Sequence, residues 1–267
     1  IQVLPTNLGD GVFSPDRNGL GQIIIELPKI PQILNGRSLR INGTFKVKLG
    51  NGSDTDNGQN FCAENPTSDV YMDGRTGVSS VIETLSIQSL TGATYSTIKN
   101  YNRLCSSLIP ANESINNLLN GMDSCYGGLA KDVSTAKKCD KAFDFSLPLL
   151  DGFLQGNPID MNLVGGLRLV LTLAPSNYVL NNNYWRNTNS VAGLSNGGAY
   201  YEISDVVCSM ETEIPDAKGQ EAMMANQNGV MEYNTFSSFY NVIMSNDHNL
   251  SLLFNTSRTL SVIGNII

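Results

Sequence analysis

The most regular stretch of the chain runs from Val78 to Ile109. Val81, Leu85 and Ile87 fall on one side of an extended segment and Thr84, Ser86 and Gln88 on the other, the alternation of a half-buried strand. Thr91-Gly92 supplies a residue free to take a positive φ, so the chain can turn back. Ala93 to Ile98 returns as a second strand, with Tyr95 and the β-branched Thr94, Thr97 and Ile98 suited to a pleated surface. At Asn100 the spacing becomes helical. Asn100 is a good N-cap, and Tyr101, Leu104 and Leu108 make an apolar stripe that Pro110 brings to an end.

The same periods mark other strands. Ile23 to Leu27 is an apolar run closed by Pro28 and Pro31, and Pro31 to Arg37 reads as a connection. Between Leu39 and Leu49, Leu39, Ile41, Phe45, Val47 and Leu49 alternate with Arg40, Asn42, Thr44, Lys46 and Lys48. Gly43 interrupts the apolar face, which marks a bulge or a close approach of backbone. Phe143, Phe145, Leu147 and Leu149 form another apolar face, and Leu167, Leu169, Leu171 and Leu173 a further one ended by Pro175. Tyr200 to Ile214 is expected as a strand with Val206, Cys208, Met210 and Ile214 on one side. Asp205, Ser209, Glu211 and Glu213 face the other way. Residues 1–22 are irregular, with a turn over 14–19.

Three long polar segments separate these strands: Gly50 to Gly77, Ala111 to Lys141, and the Asn-rich Ser176 to Gly198 with the single tryptophan, Trp185. Leu118, Leu119 and Leu129 are scattered anchors in the second. Loops of this length are uncommon unless they serve a purpose. About eight strand segments, one helix and unequal loops describe an all-β chain, a jelly roll or another two-sheet sandwich.

Composition narrows the function classes. A chain of 267 residues can hold one large β domain or two small ones, and it buries enough surface to need no staples. Only 15% of residues are charged and the net charge is −7, which disfavours direct nucleic-acid binding. No apolar run is long enough to span a membrane, and the first residues do not read as a signal peptide, so none is expected. The missing initiator Met is read as numbering that starts inside a gene product or after processing.

The five cysteines, Cys62, Cys105, Cys125, Cys139 and Cys208, contain no CxxC pair and are expected as free thiols, which suits a cytoplasmic or nuclear origin. Glycosylation patterns at Asn42, Asn51, Asn112, Asn249 and Asn255 are expected from an Asn-, Ser- and Thr-rich composition and are read as unmodified.

Candidate chemistry does not assemble. His248 is the single histidine, so a typical zinc site is unsupported, and there is no Gly-x-Ser-x-Gly elbow. Asp54 and Asp56 open like a calcium loop, but Gln59 stands where its glycine belongs and Asn65 where its closing Glu belongs. Gly19-Leu-Gly21 and Tyr126-Gly-Gly-Leu-Ala-Lys131 are fragments of phosphate loops without the full pattern or βαβ alternation. Asp69, Asp73, Glu83, Asp151 and Asp160 are candidate glycosidase carboxylates, but any β protein scatters such acids. No catalytic residue, metal site or cofactor is assigned, and the expectation is a non-enzyme. A carbohydrate-binding β-sandwich, lectin-like or a viral receptor-binding module, remains an alternative, with loop 177–201 as its binding region.

The hairpin with Gly92, followed by Asn100, Tyr101, Asn102 and Leu104 opening a helix, resembles the first barrel of the double jelly-roll major capsid proteins. The family is that of virophages, polinton-like viruses and adomavirus-type small DNA viruses. Tyr201-Glu-Ile203-Ser-Asp205-Val206 is the second matching motif, and the order of strands and insertions follows the same plan. The resemblance implies a structural capsid subunit of a virion, assembled in the host cytoplasm or nucleus. Its implied partners are two further copies in a homotrimer, neighbouring capsomers in an icosahedral shell, and penton and minor capsid proteins. Trimers of double barrels would give a pseudo-hexagonal capsomer, and segments 50–77, 111–141 and 176–199 would carry most subunit contacts.

The resemblance also sets domain expectations. Residues 1–215 form the first jelly-roll barrel, 216–231 a polar, weakly helical linker, and 232–267 the opening strands of a second, incomplete jelly roll. Strand character returns over Phe236 to Met244, Leu250 to Phe254 and Leu260 to Ile267, and an unpaired apolar end would be a sticky edge. The chain is therefore expected to be the front part of a longer subunit.

Overall fold

The structure is a computed structural model that describes residues 1–15, 21–49, 70–72, 76–112, 137–138, 142–182, 199–225 and 231–237. Its strands are β1 (Gln2–Val3), β2 (Val12–Phe13), β3 (Gln22–Leu27), β4 (Ile33–Leu49), β5 (Val70–Met72), β6 (Ile82–Ser89), β7 (Thr94–Lys99), β8 (Lys137–Lys138), β9 (Phe143–Pro148), β10 (Ile159–Asp160), β11 (Leu167–Leu173), β12 (Leu180–Asn182) and β13 (Ala199–Glu213). The helices are α1 (Tyr101–Asn112), α2 (Gly152–Gln155), α3 (Ser176–Val179) and α4 (Ala217–Ala225).

Two antiparallel sheets make the body. One runs β1-β13-β4-β10, with β2 also on β13 and β9 also on β4; the other runs β3-β11-β6-β7. If β1 and β2 are taken as two pieces of one strand, the first principal strand pairs with the last, β13. The second then pairs with the seventh (β3 with β11), the third with the sixth (β4 with β9), and the fourth with the fifth (β6 with β7). Successive pairs alternate between the two sheets. That is an antiparallel ribbon wound around a core: a jelly roll.

The core is filled as the alternation predicts. Leu167, Leu169, Leu171 and Leu173 of β11 are all buried, facing Leu39, Ile41, Phe45 and Val47 of β4 and Tyr201 and Ile203 of β13 within one cluster. Burying each such side chain contributes about 1.5–3 kcal/mol. Phe45 stacks on Phe143 and Tyr201, with centroids at 5.2 and 5.6 Å. The Tyr201 hydroxyl donates to the Ala174 carbonyl at 2.5 Å, which satisfies the one polar atom this ring brings into the core.

Ile23 to Leu27 is a core strand as expected, with Ile23, Ile25 and Leu27 buried and Ile24 and Glu26 half-buried. Several other local expectations are corrected. The stretch before β6 is a 3₁₀ turn over Gly77–Val81, not strand, and Val78 and Val81 meet the core at its three-residue spacing. β4 begins at Ile33, inside the expected connection, because a register irregularity opposite Met210 carries the pairing past residues 36–39.

On α1, Tyr101 is buried as expected, but its buried companions are Cys105 and Ile109. Leu104 packs at the margin, and Leu108 is half-buried. Asn100 stands before the helix with φ 55, and its carbonyl, rather than its side chain, accepts from the amides of Arg103 and Leu104 at 3.0 and 3.2 Å. The helix also runs past Pro110 to Asn112; proline's fixed φ is itself helical, and the i→i−4 bond it removes lies in the last turn.

From Val206 to Met210 β13 alternates as expected, but Ile214 is 67% exposed, beyond the end of the strand. The Gly92 turn holds, with φ 99 and the Ser89 amide bonded to the Ala93 carbonyl at 2.7 Å. Of the expected strand over Phe236 to Met244, only residues 236–237 are described, and they are irregular. The expected strands farther on, His248 and Trp185 lie outside the described residues.

Candidate assembly surface

The registers place all three long insertions at one end of the sandwich. In one sheet, Leu49 at the end of β4 pairs with Ala199 at the start of β13, and Phe143 at the start of β9 pairs with Phe45. In the other, Leu173 at the end of β11 pairs with Ile82 at the start of β6, and Lys99 at the end of β7 pairs with Thr84. Each insertion leaves one sheet and enters the other: β4 to β6, β7 to β9, β11 to β13. Their six ends are therefore neighbours.

There they join. Each insertion contributes one short strand to a three-stranded antiparallel sheet, β12-β5-β8. Leu180, Asn181 and Asn182 pair with Met72, Tyr71 and Val70, and on the other edge Tyr71 and Met72 pair with Lys138 and Lys137. The small sheet is rooted in the core by Met72, which is 0% exposed, and by Val179 of α3 at its base. The Tyr201 amide donates to the Ser176 hydroxyl at 3.2 Å and ties α3 to β13. Sequence reasoning treated the three segments as separate loops. A strand of two or three residues carries no readable period, so their convergence left no signal in the sequence.

The outer faces of the two large sheets are occupied by their own hydrogen bonds. The Asn42 amide nitrogen donates to the Val207 carbonyl at 3.2 Å and to the Ser209 hydroxyl at 2.9 Å. Thr44 donates to Asp144 at 2.7 Å. Ser86 and Thr97 share a bond of 3.1 Å, and Arg168 pairs with Glu26 at 2.7 Å. The Asn42 glycosylation pattern thus lies in a strand, with its nitrogen engaged.

The candidate carboxylates have backbone roles. Asp151 is buried; its Oδ1 accepts from the Phe153 and Leu154 amides at 2.8 and 3.4 Å and caps α2, while Oδ2 accepts from the Ser96 hydroxyl at 2.6 Å. Burial pushes its pKa up, against the pull of these donors. Asp160 accepts from the amides of Asn162 and Leu163 at 2.9 and 3.1 Å. Glu83 lies half-buried at the start of β6, and Asp69 and Asp73 lie outside the described residues.

Cys105 and Cys208 are free and buried, and burial pushes both thiols up to about 12, so neither is poised as a nucleophile. Cys62, Cys125 and Cys139 lie outside the described residues. Among the described residues no group of three or more His, Cys, Asp or Glu could hold a metal ion. None of the described helices is long and apolar enough to cross a membrane.

At the opposite end, a shallow groove of ≈ 630 Å³ lies between the start of β4, the end of β13 and Gly156–Pro158. Its lining is Ile33, Asn35, Gly36, Arg37, Gly156, Asn157, Pro158, Glu211, Thr212 and Glu213, without the aromatic ring on which a sugar face would stack. The lectin alternative placed its site in loop 177–201, most of which lies outside the described residues.

No protein-family model and no curated protein matches the chain. Among solved structures it is similar to VP54 of PBCV-1, in a crystal structure fitted into a cryo-EM reconstruction of the virophage Sputnik, at 12% identity over 84% of this chain and 43% of that one, with TM-score 0.44. It is similar to the mavirus major capsid protein at 14% identity over 82% and 47%, TM-score 0.40. The cryo-EM structure of the Sputnik virophage matches at 11% identity over 81% and 48%, TM-score 0.40. The chain spans less than half the length of each of these.

Proposed function

We propose that the chain is a structural subunit of a virus capsid, one jelly-roll barrel of a larger subunit that trimerises into capsomers of an icosahedral shell. The observation that carries this reading is the gathering of all three long insertions at one end of a wound eight-strand body, joined in the β12-β5-β8 sheet. A body whose sheets satisfy themselves, with its variable chain collected on one surface, suits a building block that meets its neighbours through loops and edges.

The mechanism is geometric. Contacts between copies can each be modest, because repeated contacts in a closed shell add up through effective concentration. In this reading residues 1–215 are the first barrel, 216–231 the connection, and 232–267 the opening of a second barrel. The partners are copies of the same chain, neighbouring capsomers, and penton and minor capsid proteins. The site of action is the virion, and no catalysis is involved.

Native mass spectrometry of the full-length protein, with electron microscopy at rising concentration, tests the reading. Trimers, and sheets or shells built from them, are the expected result. A small monodisperse oligomer that never associates further and is retained on a glycan matrix would replace the capsid reading with the carbohydrate-binding one.

A further inference from the structure

After β13 ends at Glu213, the chain forms α4 and comes back to the sandwich at residues 231–237, against an edge of the other sheet. Tyr95 on the edge strand β7 stacks on Phe153 of α2 at 5.0 Å and 11°. Tyr233 stands edge-on to both rings, at 6.4 Å and 84° to Tyr95 and 4.9 Å and 89° to Phe153. Its hydroxyl donates to the Tyr95 carbonyl at 3.1 Å, a backbone acceptor on the edge strand β7. Met231 and Phe236, on either side, pack partly buried against the core.

The seat has a notch as well as a platform. Gly152 lies beneath Asn234, and a Cβ at position 152 would run into the Asn234 carbonyl. The seat is held rigid from below by Asp151, which bonds Ser96 of β7 and the first amides of α2 together.

We propose that residues 231–237 are a clamp: Tyr233 and Asn234 lock onto the seat made by Tyr95, Gly152 and Phe153, so that whatever follows residue 237 leaves the barrel from a fixed point on the β7 edge. The partner this surface fits is the protein's own continuation. The alignment role rests on the reading above, in which that continuation begins a second barrel. The clamp itself rests only on the contacts. Aromatic edge-to-face pairs of this kind add specific geometry beyond area burial, and the Tyr233 hydroxyl adds a bond to the backbone of an edge strand.

Two substitutions in the full-length protein test it: Gly152→Ala, which fills the notch, and Tyr233→Ala, which removes a ring that is already 36% exposed and lies outside the buried core. Limited proteolysis within 231–237 reads the clamp, amide hydrogen exchange of β4 and β11 reads the barrel, and sedimentation reads assembly. Both variants should raise the cleavage rate within 231–237 by about tenfold or more while β4 and β11 keep their exchange protection, and both should replace the wild-type oligomer with a heterogeneous population. Unchanged cleavage within 231–237 in both variants overturns the clamp. Released segments with wild-type assembly overturn its alignment role and leave the capsid reading standing. If Gly152→Ala also exposes β11, Tyr233→Ala decides alone. A wild-type protein that never assembles overturns the capsid reading and the alignment role with it, and the cleavage result still scores the clamp.

Discussion

Gly43 on β4 lies directly across from Phe145 on β9, and a Cβ at position 43 would sit 2.8 Å from the ring's Cζ and 3.1 Å from the Ser204 carbonyl. The break in the apolar alternation of β4 is therefore a place for a neighbouring ring. Gly43→Ala forces the Phe145 ring off its position and should cost about 1–3 kcal/mol as overpacking, read by urea unfolding. Gly43→Ala with Phe145→Leu should recover part of that loss. A single alanine variant as stable as wild type would show that the ring gives way freely.

The inward stripe of α1 is Tyr101, Cys105 and Ile109, with Leu104 beside it. Ile109→Ala should cost about 2–5 kcal/mol, the range for a buried aliphatic truncation, and Leu104→Ala clearly less because its site can refill with solvent. Equal losses in denaturant unfolding would mean the stripe is as wide as the spacing Tyr101, Leu104 and Leu108 suggested.

Asp205 sits in β13 with φ 55, where the pairing with β4 slips between Ser204 and Val207. The slip lets buried positions run Tyr201 and Ile203 before it and Val206, Cys208 and Met210 after it. Asp205→Val places a β-branched residue in the left-handed region and should lose roughly 1–2 kcal/mol. Asp205→Gly should be neutral or slightly stabilising. Thermal unfolding of the pair distinguishes a backbone requirement from a role for the carboxylate.

These cases show how far the sequence could be read. β11 was fully legible, because a strand buried on one face writes its alternation into every second residue from Leu167 to Leu173. β13 was legible in its second half, but the parity change at Asp205 carries no glycine to announce it. The 3₁₀ turn at Gly77–Val81 hid because its apolar residues also fit the start of a strand, and β4 hid its first residues behind Gly36 and the irregularity that follows. Asp151 was noticed as a carboxylate when its chemistry is that of a helix cap. The clamp left no mark at all: Gly152 answers to Asn234 only once the chain has folded.

The convergence of the insertions gives a direct test of the assembly surface. β5 is the middle strand of the small sheet, and Tyr71 pairs with Asn181 on one side and Lys138 on the other. Tyr71→Pro removes the amide and breaks pairing in a central strand, where proline is not accommodated. The barrel should stay folded and lose no more than about 1–3 kcal/mol of unfolding free energy, since β5 lies outside the two large sheets, with Met72 as its anchor in the core, while trimers and larger assemblies fall sharply in sedimentation. Normal assembly by this variant would detach the small sheet from subunit contact.

Asp151 sets a pH dependence whose sign follows from its burial. Its pKa is raised from an ordinary value of 3.8, chiefly because burial disfavours the charged carboxylate, although Ser96, Phe153 and Leu154 all donate to it. An acid of this kind binds more protons folded than unfolded between the two values. Its contribution to stability is fully present below pH 3.8 and is lost as pH rises through the higher folded value. Asp151→Asn keeps an oxygen for the α2 amides and offers an amide to the Ser96 hydroxyl, without a charge to bury. The variant should match or exceed wild-type stability at neutral pH, and the decline on raising pH through the folded value should flatten. Asp151→Leu, which leaves the Ser96 hydroxyl and the α2 amides without their acceptor, should instead lose about 1–3 kcal/mol at every pH. Urea titrations of the three proteins across that range measure both effects. A wild-type profile that rises with pH there, while Asp151→Asn stays flat, would show that the three hydrogen bonds outweigh burial and hold the carboxylate ionised.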